Sequence, residues 1–160
     1  MPKEEASTPL KTKIEQLLTE ARVIIPGCQA LLGFQFVATL TKSFSELPIF
    51  VKYVHSAGLC AVALSVLLLM TPAALHRIAF HGEDNEDFFR IGSGFVIAAA
   101  LPLAIGISAA VFVVYYKVSQ NMTLAGISGA VALCALLSFW YVFPLRRRGS
   151  SYISLKGRHG

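Results

Sequence analysis

The residues of this chain that could do chemistry are clustered at the ends of its apolar segments. Glu20 and Arg22 precede one apolar run, His76 and Arg77 follow another, and Arg90 precedes a third. A carboxylate, an imidazole and guanidinium groups at one level could join helix ends by charge-assisted hydrogen bonds, with Glu20 pairing with Arg77. The same groups could instead form a pH-sensitive or ligand-binding site. We favour the structural clasp.

The histidines do not suit a shared metal or a haem. His55 and His76 lie 21 residues apart, which is about 32 Å along one helix, so they cannot both ligate one iron. His76 and His81 have a poor helical spacing for a common ion. The sequence also lacks a phosphate-binding glycine motif, a nucleophile elbow and a Cys-x-x-Cys pair. We therefore expect no cofactor, no metal and no enzymatic activity.

Four runs without a charged residue form the elements that must position these groups. Each run approaches or exceeds the roughly 20 apolar residues that a helix needs to cross a bilayer. Inside lipid a helix hydrogen-bonds its own backbone, so the sequence predicts an all-α integral membrane four-helix bundle over residues 23–145. The predicted spans are about 23–41, 54–75, 91–116 and 122–145.

An amphipathic helix is predicted within the N-terminal arm, residues 1–22. Thr8 and Pro9 are typical of a helix start, with Thr8 as the cap and Pro9 as the first helical residue. Apolar residues then recur at three- and four-residue steps. These are Leu10, Ile14, Leu17, Leu18 and Ala21. Such a helix could lie in the headgroup plane or dock on the end of the bundle, and its length does not decide between these states.

The distribution of basic residues predicts the orientation. The net charge of +5 does not indicate nucleic-acid binding, because the basic residues flank apolar segments in a chain that is 55% hydrophobic. By the positive-inside rule, both termini lie in the cytoplasm, and residues 146–160 form a basic tail. The cytoplasmic set is Lys3, Lys11, Lys13, Arg22, Arg77, Arg90, Arg146, Arg147, Arg148, Lys156 and Arg158, against Lys42, Lys52 and Lys117 on the other side.

Small and polar residues inside the spans predict contacts between helices. Gln29 and Gln35 carry amides that would find hydrogen-bond partners within the bundle, or else line a solute or cofactor site. A stripe of small residues at four-residue steps, together with Ala125 and Gly129 in the last span, could pack inside the bundle or against another copy. The stripe is Gly94, Ala98, Pro102, Gly106 and Ala110.

Two segments resemble those of a known family. Residues 21–29, Ala-Arg-Val-Ile-Ile-Pro-Gly-Cys-Gln, are similar to its Arg-Val-x-x-Pro-Gly-x-Gln motif, and residues 71–80 are similar to its Pro-x-x-x-His-Arg motif. The family consists of small bacterial four-span membrane proteins of unknown function. The resemblance implies a bacterial inner membrane and supplies no activity, substrate or cofactor.

The leading functional hypothesis is a non-enzymatic accessory or structural subunit, or a scaffold, in a homo-oligomer or a larger membrane complex. The alternative is an oligomeric channel or facilitator in which Gln29, Gln35 and Ser65 face a polar path. Ion-coupled transport is disfavoured, because no charged residue lies deep in a predicted span. The lipid bilayer is an expected partner and nucleic acid is not. The candidate structural or functional cluster is Glu20, Arg22, Gln29, His76, Arg77 and Arg90.

Overall fold

The computed structural model describes residues 9–147, in which it has helices and no strands. The helices are α1 (Leu10–Thr39), α2 (Lys42–Ser45), α3 (Ile49–Ile78), α4 (Glu86–Ser119) and α5 (Met122–Leu137). A π-helical turn, Ser138–Val142, continues α5. Four helices are long and apolar enough to cross a membrane: α1, α3, α4 and the continuous segment Met122–Arg147. The predicted all-α membrane bundle is therefore confirmed, while Thr8 and the tail from residue 148 onward lie outside the described residues.

The helix ends follow their local sequence. The Asn85 side chain accepts a hydrogen bond from the Asp87 amide at 2.7 Å, and Asn121 caps the amides of residues 123 and 124 in the same way. The predicted role of Pro9 as the first helical residue is wrong. Its ψ of 143° is extended and its carbonyl already accepts from the Lys13 amide, so Pro9 itself occupies the capping position and the helix begins at Leu10.

The centre of the bundle is the close antiparallel pair α3 and α4. Gly58 of α3 faces Ala109 of α4, and Gly106 of α4 faces Val62 and the Gly58 carbonyl oxygen, so that a Cβ at Gly106 would lie 2.9 Å from that oxygen. Small residues let the two backbones approach, which is the main source of helix packing in lipid. The predicted small-residue stripe is thus internal at Gly106, but Gly94 lies exposed with no atom near its missing side chain.

The amphipathic segment docks on the bundle and does not end before the membrane. Ile14 and Leu17 are buried against Phe88, which is 0% exposed at the start of α4. The same helix continues through Pro26 to Thr39, so the arm and the first span are one element. Burial of the apolar stripe between helices therefore selects docking over a position in the headgroup plane.

The last helix is the most peripheral one. In α5 (Met122–Leu137), only Ala125 and Gly129 are buried. Gly129 packs against Phe112 and the Ser108 carbonyl oxygen of α4. Beyond the π-helical turn, the Tyr141 hydroxyl donates a hydrogen bond to the Ile97 carbonyl oxygen at 2.7 Å. The small-residue prediction for this helix is confirmed as packing within one chain.

Candidate functional site

Three residues of the predicted cluster meet in one groove between α1 and α3. Arg22 of α1 and His76 and Arg77 of α3 line a groove of about 650 Å³, together with apolar side chains. We call it the basic groove. Its lining is completed by Leu18, Leu67, Met70, Thr71, Ala73, Ala74 and Ile78. The groove therefore combines two guanidinium groups with apolar walls, and none of its lining residues is a carboxylate.

His76 forms the boundary between the basic groove and the docked end of α1. Its ring lies 4.8 Å from the ring of Phe88, which also contacts Phe80 edge to face at 5.5 Å. The Nε2 atom of His76 is buried and has no hydrogen-bond partner in the structure. A buried imidazole nitrogen without a hydrogen bond costs free energy. The position of the His76 ring is therefore set by its packing against Phe88, and the hydrogen-bonding capacity of Nε2 stays unused.

The predicted pairing of Glu20 with Arg77 is not formed. Glu20 lines a different groove, between α1 and α4, with Lys13 and Gln16. Arg90 lies on α4 and pairs with Asp87 at 3.2 Å in an exposed bridge within one helix. The ion pairs in residues 9–147 thus do not join the ends of α1, α3 and α4, which are held by apolar packing around Phe88 instead.

Gln29 does not find a partner inside the bundle. It is exposed, and it forms no hydrogen bond with any residue that the structure describes. Pro26 and Gly33 are exposed on the same side of the helix, and no atom lies within 4 Å of the Cβ position of Gly33. We call Pro26, Gln29 and Gly33 the outer face of α1. An amide and an exposed glycine therefore face away from the rest of the chain at membrane depth.

Gln35 and His55 form a second polar site, which the sequence did not single out as a pair. Both are 5% exposed. The Gln35 Nε2 atom donates to the Gly106 carbonyl oxygen at 3.3 Å, and the His55 Nε2 atom lies 2.8 Å from the Gln35 carbonyl oxygen. Because a carbonyl only accepts, His55 donates from Nε2. The Gln35 Oε1 atom is buried without a partner, and both residues line an apolar cavity of about 320 Å³.

The polar residues named for a solute path do not line a common path within one chain. Ser65 is fully buried and donates to the Ala99 carbonyl oxygen at 2.9 Å, which ties α3 to α4. Gln35 is tied to α4 at a different level, and Gln29 faces outward. Gln35 and Ser65 both form hydrogen bonds between helices, which the sequence predicts for the amide of Gln35.

The two ends of the bundle differ in charge. Arg22, Arg77 and Arg90 lie at the end where α1 begins and α3 ends. At the opposite end, Lys117 lies 3.7 Å from the Glu46 carboxylate, and Lys52 donates to the Ser45 carbonyl oxygen. Most of the basic residues in the described chain thus share one end, and two of the lysines at the other end are engaged locally. Within residues 9–147, no group of three His, Cys, Asp or Glu side chains could hold a metal ion.

Comparison with known proteins identifies one family. The model of DUF6328, a family of unknown function, matches residues 3–144, so the match extends over nearly the whole chain. No curated protein and no solved structure matches.

Proposed function

We propose that this chain, which belongs to the DUF6328 family, is a non-enzymatic membrane protein that acts as an accessory or structural subunit. The observation that supports this role is Gln29 on the outer face of α1. An amide moved from water into a hydrocarbon without partners costs about 4–8 kcal/mol. A surface that presents such an amide at membrane depth is stabilised when another helix covers it.

A second copy of the chain is the partner that this surface fits. An amide has both donors and an acceptor, so two Gln29 side chains can exchange a pair of hydrogen bonds across a twofold axis. Gly33, which lies on the same side of α1 as Gln29, lets the two backbones approach without a side chain between them. The assembled unit is a dimer through α1.

The membrane and orientation belong to the same proposal. We propose a bacterial inner membrane with both termini in the cytoplasm. The concentration of Arg22, Arg77 and Arg90 at one end supports this orientation through the positive-inside rule. A reporter that is active only in the cytoplasm should be active when it is fused to either terminus. An inactive fusion at one terminus, with the reporter on the other side of the membrane, would contradict the orientation.

Native mass spectrometry in a mild detergent tests the assembly. We expect wild-type protein to be dimeric and Gln29→Leu to raise the dimer dissociation constant about eightfold, since two hydrogen bonds of about 0.6 kcal/mol each are lost. Gly33→Leu is expected to abolish the dimer by steric exclusion. Gly126→Leu is the matched control, because Gly126 is also exposed with nothing near its Cβ position but lies on α5.

Three outcomes would contradict the proposal. Wild-type protein could be monomeric under all mild conditions. The two glycine variants could behave alike, which would remove the outer face of α1 as the interface. The chain could also be recovered only with a different protein and never with a second copy, which would exclude the dimer.

A further inference from the structure

We propose that the basic groove binds the headgroup phosphate of an anionic phospholipid. Arg22 and Arg77 would hold the phosphate from α1 and α3, and the apolar walls would take the adjoining acyl chain. This site is separate from the outer face of α1 and does not depend on dimer formation.

The charges of the groove select an anion. Arg22 and Arg77 line it, and no carboxylate does. Within residues 9–147, neither guanidinium group forms an ion pair, whereas Arg90 is paired with Asp87 and Lys117 with Glu46. Guanidinium groups bind phosphate oxygens through two parallel hydrogen bonds, which favours an oxyanion such as phosphate over a halide of the same charge.

The position of the groove selects a lipid over a free phosphate. Arg22 is the last charged residue before the apolar run of α1, and Arg77 is the first charged residue after the apolar run of α3. The two arginines therefore lie at the level where hydrocarbon gives way to headgroups. On the hydrocarbon side of Arg77, the groove is lined by Leu67 and Met70, and Leu67 is 64% exposed. A ligand with a phosphate and an attached acyl chain matches both parts.

His76 adds a third nitrogen-bearing side chain to the lining. Its buried Nε2 atom has no hydrogen-bond partner within residues 9–147. The ring is fixed by its contact with Phe88, so its position is set by the bundle and not by a ligand. Basic pockets between helices at a membrane boundary are a known form of phospholipid headgroup site, and the groove of about 650 Å³ has this construction.

The test measures binding of phosphatidylglycerol and phosphatidylcholine to the full chain in detergent, by native mass spectrometry. We expect phosphatidylglycerol to be retained preferentially. The double variant Arg22→Gln, Arg77→Gln should weaken its binding about thirtyfold, at about fivefold for each basic residue next to an anionic lipid. The matched control is Arg90→Gln, Arg146→Gln, which removes the same charge at the same end outside the groove and should change binding less than twofold.

Two further arms keep the test decisive. The variant Arg22→Lys, Arg77→Lys keeps the charge but not the paired hydrogen bonds, and it should recover part of the affinity. Inorganic phosphate should not compete with the lipid or raise the thermal stability of the chain. The proposal is overturned if both lipids bind equally, if the groove and control variants lose binding equally, or if inorganic phosphate displaces the lipid.

Discussion

Substitution of Gly106 by alanine should separate the two central helices. The new Cβ would overlap Val62 and would lie 2.9 Å from the Gly58 carbonyl oxygen and 3.3 Å from the Val62 amide nitrogen. Two of these three neighbours are backbone atoms, which cannot rotate away. The helix α4 must therefore move away from α3.

The cost follows from two contributions. Overpacking of a well-packed contact costs about 1–3 kcal/mol. The same movement displaces the Gly106 carbonyl oxygen, which accepts the hydrogen bond from Gln35 at 3.3 Å. A hydrogen bond between membrane helices contributes about 0.6 kcal/mol, so the sum is about 1.5–3.5 kcal/mol. The free energy of unfolding of Gly106→Ala should fall by that amount.

Gly94→Ala is the matched control on the same helix. Gly94 is exposed, and no atom lies within 4 Å of its Cβ position. Alanine there should be neutral or stabilise the helix by about 0.5–1 kcal/mol, because glycine loses more backbone entropy. Unfolding of both variants in mixed micelles, followed by circular dichroism, measures the difference. Equal stabilities would refute the close approach of α3 and α4 at Gly106.

Two other substitutions test single hydrogen bonds. Ser65→Ala removes a hydrogen bond between helices and should lower the free energy of unfolding in micelles by about 0.6–1.7 kcal/mol. The control Ser128→Ala removes only a hydrogen bond within α5 and should lower it by less. Equal losses would contradict the contact between Ser65 and Ala99. Tyr141→Phe removes the hydroxyl that bonds to Ile97 and should loosen the end of the last helix. Trp140 is the chain's single tryptophan, so stronger quenching of its emission by acrylamide would report this loosening and unchanged quenching would count against it.

The spans were predictable because lipid leaves the backbone few choices. Long uncharged runs have to form helices, and the caps Asn85 and Asn121 lie where polar residues interrupt those runs. The docked arm was predictable as a helix from its apolar stripe. Its partner was not, because the contact of Ile14 with Phe88 joins residues more than seventy positions apart.

The charged clasp failed for a reason that helix geometry explains. Glu20 and Arg22 are two residues apart, and a step of two turns about 200° around a helix, so both cannot face one cluster. The structure accordingly places Arg22 in the basic groove and Glu20 in the groove toward α4. The four-residue stripe is internal at Pro102 and Gly106 and exposed at Gly94, since each step of four turns about 40° beyond a full circle and carries Gly94 away from the face of Gly106.

The pair Gln35 and His55 could not be read from the sequence at all. The pairing depends on the relative shift of α1 and α3 along their axes, and the two helices are joined through the short helix α2. The residue pattern within one helix does not determine the position of that helix along the other. The signal that was present is the isolated polarity of each residue in an apolar neighbourhood, which marks a buried hydrogen bond without naming the partner.

The two proposals use different levels of one side of α1. Arg22 and Gln29 are seven residues apart, about 10 Å along the helix and nearly in line around it. Phosphate chemistry requires the guanidinium at the headgroup level, and pairing of amides requires the hydrocarbon level, where water does not compete. Exchange of the two residues would serve neither purpose, because a guanidinium at the position of Gln29 would be buried in hydrocarbon. The positions of Arg22 and Gln29 along α1 therefore match the two proposals, a phosphate at the boundary and a second helix just below it.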